Sequence, residues 1–487
     1  MVYVALVSVS PMDIGVRNLK TVLDRRGVES DLFVFDRQPL RNGYSEGELF
    51  SLTDYLKKRD DKIVVGVSSI EQTYHRARQI LNACKEAGIN ARYFVGGPFP
   101  KVEPTLCLAD GWNVVFLGEA EKTLQKVLEG DLSSGVATVI NGNVVTNPLS
   151  IDDFLRGDEI PNPFYGNAFE FKDGALQASR GPYKSLDHPQ YGTRTSLDLF
   201  TQWGCSYSCG FCEVATDDNL YGKKIRRQSV DQVVDSIADR KRKNGSLDYV
   251  SLWDLDFLLR PLEEIQEFSS KYRKSVGLPF FIFVTPRTAS KEDGQEKLRL
   301  LVEAGLDQVN MGIQCGNEAF RRRVYTRMDF NEQIITAANT LHALTPRVKL
   351  MYDIIISNPW EKREEVADTA KLLLQLPPPF YLTVEGLALS RGTPLFERAR
   401  TEGLVNDAHF VERDYHDVLA DFRGDHYMNS VIYIMRGEWT KERCGLLWRK
   451  NVPTLLNNDL AEEFDKLDPN ALRTFLSGLA VDSSDRF

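Results

Sequence analysis

The stretch "SLDLFTQWGCSYSCGFCEV", residues 196–214, sets a β-prone run against a loop holding three cysteines. They are Cys205, Cys209 and Cys212, spaced C-x3-C-x2-C. The other cysteines, Cys84, Cys107, Cys315 and Cys444, are scattered. Seven cysteines, an odd number dispersed in a long chain, argue against a disulfide framework. A closed structural zinc site takes four ligands, commonly in C-x2-C pairs, and the second pair is missing. A 4Fe–4S cluster that only carries electrons also takes four thiolates. Three thiolates leave one iron with an open position, which catalytic metal sites keep for a substrate or cofactor.

Downstream of this loop, strand and helix patterns alternate. Apolar runs read as strands in "YVSLWDLD", "FFIFVT", "QVNMGIQ", "VKLMYDIIIS" and "YLTVEGLALS". Between them, "VDQVVDSIADRKRK", "LEEIQEFSSKYRK", "QEKLRLLVEAG", "NEQIITAANTLHAL" and "REEVADTAKLLLQL" have helical spacing. With 196–204 as the first strand, six strand–helix units fill 196–400. The expected fold there is a partial (β/α)6 barrel of TIM type, its site at the strands' C-terminal ends. The cysteines fall on the loop after the first of those strands.

Upstream, residues 1–148 also alternate. "VYVALVSV", "DLFVFD", "IVVGVSS", "ARYFVGG" and "NVVFLG" are short, nearly continuous apolar runs with helical segments among them. In the first such segment Val16, Leu19, Val22 and Leu23 share a face, and Gly27 stops it. Buried strands joined by helices predict an α/β, doubly wound (Rossmann-like) parallel sheet. "ATVINGNVVTNP" closes it with an Asn-Gly hairpin. The strand ends carry Ser10-Pro11, Ser68-Ser69, Gly96-Gly97-Pro98 and Gly118-Glu119. Ligands of such sheets bind at those ends, although small residues also serve plain tight turns. Residues 149–195, rich in Pro, Gly, Asn and Asp, are expected to form an irregular linker. Residues 401–487 are expected to form a small, mostly helical cap. In the cap Tyr415, His416, His426 and Tyr427 are candidate substrate contacts, with a solvated amphipathic helix as the alternative.

The chain has 487 residues and a formal net charge of −9. That length implies roughly two to four domains. The acidic balance disfavours a protein whose main substrate is nucleic acid. No apolar run reaches the ~18 residues of a membrane span. The amino-terminal stretch lacks a basic flank and a cleavage site, so the expected location is cytoplasmic.

The cysteine spacing, with aromatic Phe211 before the last cysteine, resembles the radical S-adenosylmethionine (SAM) superfamily. That resemblance implies a 4Fe–4S cluster on Cys205, Cys209 and Cys212, with SAM chelating the open iron. It implies cleavage of SAM to a 5′-deoxyadenosyl radical and an external electron donor of flavodoxin or ferredoxin type. Phe211 would then line the adenine side. "LWDLDF", with Asp254 and Asp256, is similar to the acidic D-D-x-F motif that meets the SAM amino group. "FVTPRT" brings Thr285 and Arg287. "MGIQCG" is similar to a fourth-strand G-I-E-S-G pattern, with Gln314 near the ribose and Arg327 following as a partner for the SAM carboxylate. A surface role is the alternative for Arg327. "RGTP", residues 391–394, is similar to a sixth-strand P-G-T-P segment.

Residues 1–148 resemble the cobalamin-binding fold that precedes such barrels in one branch of the superfamily. That implies a corrinoid over the strand-end ledge, its nucleotide tail entering this domain. The chain lacks the D-x-H-x-x-G motif, so a histidine lower ligand is not expected. The function implied is a cobalamin-dependent radical SAM methyltransferase acting on an unactivated carbon of a small metabolite. The rivals are radical rearrangement, cyclisation or dehydration without methylation, and a non-catalytic Fe–S and corrinoid sensor.

Overall fold

The computed structural model describes residues 2–9, 14–35, 43–172, 175–180, 184–188, 192–214, 216, 225–406, 426–440 and 456. The chain folds as two units that do not follow its order. The first comprises residues 1–206, 212–247 and 389–414, and the second residues 207–211, 248–388 and 415–487.

The first unit is built on a nine-stranded sheet. Its parallel centre comprises β1 (Val2–Ser8), β2 (Ser30–Val34), β3 (Lys62–Ser68), β4 (Ala91–Gly96) and β5 (Val114–Phe116). They lie in the order β5-β4-β3-β1-β2, so the strand order reverses at β1/β3. Each central strand is buried on both faces, as its unbroken apolar run predicts. One face packs Tyr3, Ala5, Val7, Val65 and Val95; the other packs Val4, Leu6, Val64, Phe94 and Phe116. The expected hairpin forms as β6 (Val136–Ile140) and β7 (Asn143–Asn147) on the β5 edge. Asn141 and Gly142 both take positive φ, 51° and 78°, as a two-residue hairpin turn requires. Helices form at Ile14–Arg25, Tyr74–Glu86 and Thr123–Leu128. A further helix, Glu46–Lys57, is started by a Ser45/Glu48 capping box.

The stretch 149–195 is not the irregular linker expected from its composition. It contains β8 (Asn167–Lys172) and β9 (Ala175–Arg180), a hairpin on the β2 edge of the first sheet. The alternation in "NAFEFK" puts Phe169 and Phe171 on one face. There they stack on Phe33 and Phe35, with ring centroids 5.3 and 6.3 Å apart. The stretch ends in β10 (Lys184–His188) and the start of β11 (Gly192–Leu199), which pair antiparallel. Turn residues punctuate short strands as readily as loops, which is why composition misleads here. The expected strand 196–204 divides into the end of β11 and a separate β12 (Gln202–Trp203). β12 pairs antiparallel with β13 (Arg226–Arg227).

The second unit holds β14 (Tyr249–Leu252), β15 (Phe280–Val284), β16 (Leu306–Gln314), β17 (Lys349–Ile356) and β18 (Phe380–Gly386), in parallel and in sequence order. β19 (Gly437–Trp439) adds antiparallel to β18, with Trp439 stacked on Phe380 at 4.8 Å. This is the expected β/α alternation, but no pairing among the described residues closes the sheet into a barrel. Of the expected helical cap, the described residues form the helix His426–Ile434 and β19. No helix among the described residues is long and apolar enough to cross a membrane.

Candidate functional site

In the first unit a cleft of about 290 Å³ opens over the β1/β3 switch point. Strand register explains it. Leu6, Gly66 and Phe94 are neighbours in one cross-strand row, and Gly66 leaves the gap in that row. A Cβ there would stand 3.3 Å from Leu6 Cδ2. Val64, Phe94 and Phe116 make the floor apolar, and Ser68, Gly97 and Gly118 stand at its strand ends. Of the expected ledge, Ser68, Gly96, Gly97, Pro98, Gly118 and Glu119 line this cleft. Ser69 does not: it is buried, its amide donating to the Gly96 carbonyl at 2.9 Å and its hydroxyl to that of Ile70 at 2.8 Å. Gly97 has φ +104°, and a Cβ there would lie 2.4 Å from the Ser69 carbonyl oxygen. Ser10 and Pro11 lie outside the described residues.

Of the cleft's polar rim, only Glu119 was expected from the sequence. Glu119 is ion-paired with Arg226, which also donates to the Leu155 carbonyl at 2.9 Å. Lys101 donates to Thr216 Oγ1 at 2.9 Å. Glu121, desolvated beside Glu119, has its carboxyl pushed up to about 7. An apolar slot with a hydrogen-bonding rim, at a switch point, fits the flat aromatic end of a nucleotide-tailed corrinoid. Farther along, Arg391 of the "RGTP" segment is buried against Glu71 and Glu103, donating to Glu103 Oε1 at 3.0 Å.

In the second unit the middle of the cysteine loop is stitched to residues 325–329. The Gly210 amide donates to the Tyr325 carbonyl at 3.0 Å, and Thr326 Oγ1 donates to the Ser208 carbonyl at 2.8 Å. Phe211 meets Tyr325 edge to face at 5.0 Å. The Tyr207 hydroxyl donates to Asp329 Oδ1, and Arg327 Nε donates to Asp329 Oδ2 at 2.6 Å. Arg327 Nη2 donates to the Gly312 carbonyl at 2.7 Å. The guanidinium groups of Arg287 and Arg327 stand 4.6 and 4.9 Å from the Tyr207 ring centre, in cation–π contact. The candidates Phe211, Arg287 and Arg327 are therefore brought together around Cys209. Arg327 is also committed to a buried ion pair, so the surface alternative for it does not hold. Tyr207 and Asp329, which organise this network, had no motif to announce them.

Asp254 and Asp256 are both buried at the end of β14. Asp256 accepts from Thr285 Oγ1 at 2.7 Å, Thr288 Oγ1 at 2.9 Å and the Leu258 amide at 3.2 Å. It ties the end of β14 to that of β15, and Thr285 serves that junction. Burial pushes the Asp256 carboxyl up to about 7 against these hydrogen bonds. Gln314 ends β16 with φ +72°, a left-handed turn that is uncommon outside glycine. Tyr427 is buried in the helix His426–Ile434, and His426 begins that helix. Tyr415 and His416 lie outside the described residues.

Cys209 is buried, and Cys205 and Cys212 are half-buried. Among the described residues no three His, Cys, Asp or Glu side chains are placed to hold a single metal ion. A set of thiolates spread along one loop instead has the donor chemistry of a cluster, which distributes its ligands over several irons.

Two segments of the chain match known families. Residues 2–128 match the B12 binding domain and residues 200–372 the radical SAM superfamily. Over 349 residues the chain is 27% identical to cytidylyl-2-hydroxyethylphosphonate methyltransferase of Streptomyces wedmorensis, covering 62% of this chain and 61% of that protein. It is 26% identical to a tRNA-2-methylthio-N(6)-dimethylallyladenosine synthase of a Roseiflexus species, covering 47% of this chain and 44% of that one. The chain thus spans less than two thirds of the length of these relatives. In fold it is similar to TsrM of Kitasatospora setae, a radical S-adenosylmethionine methyltransferase, with TM-score 0.60 and 18% identity over 82% of this chain and 76% of that one. It is likewise similar to OxsB, a cobalamin-dependent S-adenosylmethionine radical enzyme, with TM-score 0.62 and 16% identity over 97% and 72%. The two matched segments are those in which the sequence led us to expect a 4Fe–4S cluster with SAM and a cobalamin, respectively.

Proposed function

The chain joins a B12-binding domain to a domain of the radical SAM superfamily, and from that pairing we propose that it is a cobalamin-dependent radical SAM methyltransferase acting on a small molecule. The observation that carries this reading is the coexistence of a three-thiolate loop with an apolar, polar-rimmed cleft at the β1/β3 switch point. When bound, the cluster and SAM supply a 5′-deoxyadenosyl radical that abstracts a hydrogen from the substrate, and the corrinoid supplies the methyl group.

The chain's own residues bind, orient and exclude water. Cys205, Cys209 and Cys212 hold the cluster. Tyr207, Arg327 and Asp329 fix the backbone around Cys209, so that thiolate is presented without a search through loop conformations. Asp254 meets the SAM ammonium through a charge-assisted hydrogen bond. Asp256, saturated by two threonines and an amide, holds the Asp254 turn in place. The cleft takes the nucleotide end of cobalamin, with Gly66 opening the slot and Gly97 letting the backbone come close. A flavodoxin- or ferredoxin-type protein supplies the electron.

The test needs no knowledge of the substrate. The anaerobically reconstituted chain is incubated with cobalamin, a strong chemical reductant and methyl-labelled SAM. The expected result is 5′-deoxyadenosine together with label in the corrinoid fraction. Deoxyadenosine with no label on a bound corrinoid would leave radical rearrangement, cyclisation or dehydration as the function. Neither product would leave the sensor.

A further inference from the structure

The cysteine loop is moored at both ends to the cleft. Trp203 and Gly204, immediately before Cys205, are part of the cleft wall, and so is Val214, two residues after Cys212. Two links to cleft-lining cations hold these ends. Upstream, Trp203 pairs with Arg226 across the β12–β13 ribbon. Arg226 is in turn clamped by Glu119 at the end of β5, where Glu119 Oε2 also accepts the Leu155 amide at 3.2 Å. Behind the ribbon, the Arg227 carbonyl lies so close to Gly157 that a Cβ there would stand 1.8 Å from its oxygen. Downstream, Thr216 accepts from Lys101, which follows the Gly97 turn and lines the cleft. All these residues belong to the first unit. Nothing in the cysteine motif itself calls for an ion pair to one sheet loop and a hydrogen bond to another.

We propose that filling this cleft with the nucleotide tail of a corrinoid stabilises the ends of the cysteine loop, so that corrinoid binding and retention of the iron–sulfur cluster are thermodynamically coupled. The inference rests on the cobalamin reading above. Its logic is linkage: a ligand that packs against Trp203, Val214, Lys101 and Arg226 favours the arrangement those residues hold. Whatever orders the same loop from the cluster side must then strengthen corrinoid binding by the same factor. A tail that only filled an inert slot would have no such effect, because a ligand shifts an equilibrium only through its different affinity for the two states.

The experiment measures release of iron to a ferrous chelator from the reconstituted chain under anaerobic conditions, with corrinoid occupancy followed separately by absorbance. Three samples are compared: no corrinoid, cobalamin, and cobinamide, which has the corrin ring without the nucleotide tail. Cobalamin is expected to slow iron release about fivefold or more, the lower end of typical coupling factors. Bound cobinamide is expected to slow it less than twofold. In T216V, which removes the acceptor for Lys101 without removing a cleft-lining residue or a cysteine, cobalamin still binds but its protection of the cluster falls by at least half. Equal protection by cobinamide would mean that the ring merely shields the cluster and would overturn the proposal. So would full protection in T216V. Unchanged iron release in protein shown to hold cobalamin refutes the coupling and leaves the cofactor reading intact. Failure to take up cobalamin at all refutes both.

Discussion

Replacing Asp256 by alanine tests whether this carboxylate is the junction between β14 and β15. Asp256 receives three donors: Thr285, Thr288 and the Leu258 amide. After truncation, Thr288 can still reach the Thr285 carbonyl, which lies 3.2 Å from its hydroxyl. The Thr285 hydroxyl can turn to Thr288 Oγ1, 3.1 Å away, and the Leu258 amide is left buried without an acceptor. Such a donor costs about 1–3 kcal/mol. With the small void added, the substitution is expected to destabilise the second unit by about 2–4 kcal/mol at pH 5. The pH dependence follows from burial. The carboxyl stands near 7 in the fold against an ordinary value of 3.8, so the native state binds the proton more tightly than the unfolded chain. That contribution is full below about pH 4 and is lost as pH rises through about 7. The cost of Asp256→Ala is therefore expected to shrink between pH 5 and pH 8, by at least about 1 kcal/mol. Urea unfolding of the cluster-free chain at both pH values, wild type beside variant, measures it. A cost below 1 kcal/mol, or one that grows with pH, would show that Asp256 is not the junction described.

Asp254→Asn is expected to weaken SAM binding about tenfold, in line with the loss of one charge-assisted hydrogen bond, while iron content and urea midpoint stay at wild-type values; unchanged affinity by equilibrium dialysis would remove Asp254 from the SAM site. Alanine at Cys205, Cys209 or Cys212 is expected to abolish the brown chromophore and its iron, whereas Cys84→Ala, in the buried core of the first sheet, leaves both in place; iron analysis after anaerobic reconstitution decides this. Gly97→Ala forces a Cβ to 2.4 Å from the Ser69 carbonyl at a φ of +104° and should cost at least about 2 kcal/mol; the readouts are the urea midpoint of the first unit and cobalamin uptake, and a wild-type result in both would mean that the turn is not tight.

The sequence was most legible where one local rule governed. Continuous apolar runs located β1 to β5, and the Asn-Gly pair located the β6–β7 hairpin. The helix predicted from "VDQVVDSIADRKRK" forms over Val230–Lys243. The missed helix Glu46–Lys57 had a readable signal, its Ser45-x-x-Glu48 box. So had β8, whose Phe169 and Phe171 alternate. The acidic pair Asp254 and Asp256 was legible as a pair but not as two roles. Extended spacing aims both to one side, and only the positions of Thr285 and Thr288, on the next strand's loop, distinguish them.

What stayed hidden has a common physical character. Tyr207, Asp329, Lys101, Glu119 and Arg226 hold the cysteine loop through contacts across long sequence separations, and none of them resembles a metal ligand. A thiolate motif can be read from one stretch because the metal dictates spacing. The backbone that presents those thiolates obeys no such spacing, since any cation within reach of any carboxylate will serve. Glu119 illustrates this. As a residue after a short strand it looked like a rim contact for a ligand, and the structure gives its carboxylate to Arg226 instead. Its effect on the site is exerted through the β12–β13 ribbon, which ends one residue before Gly204 and two before Cys205. The chemistry of the motif and the mechanics of its loop are therefore separable. Substitutions at the cysteines should remove the cluster outright, and substitutions at the moorings should change how firmly it is kept.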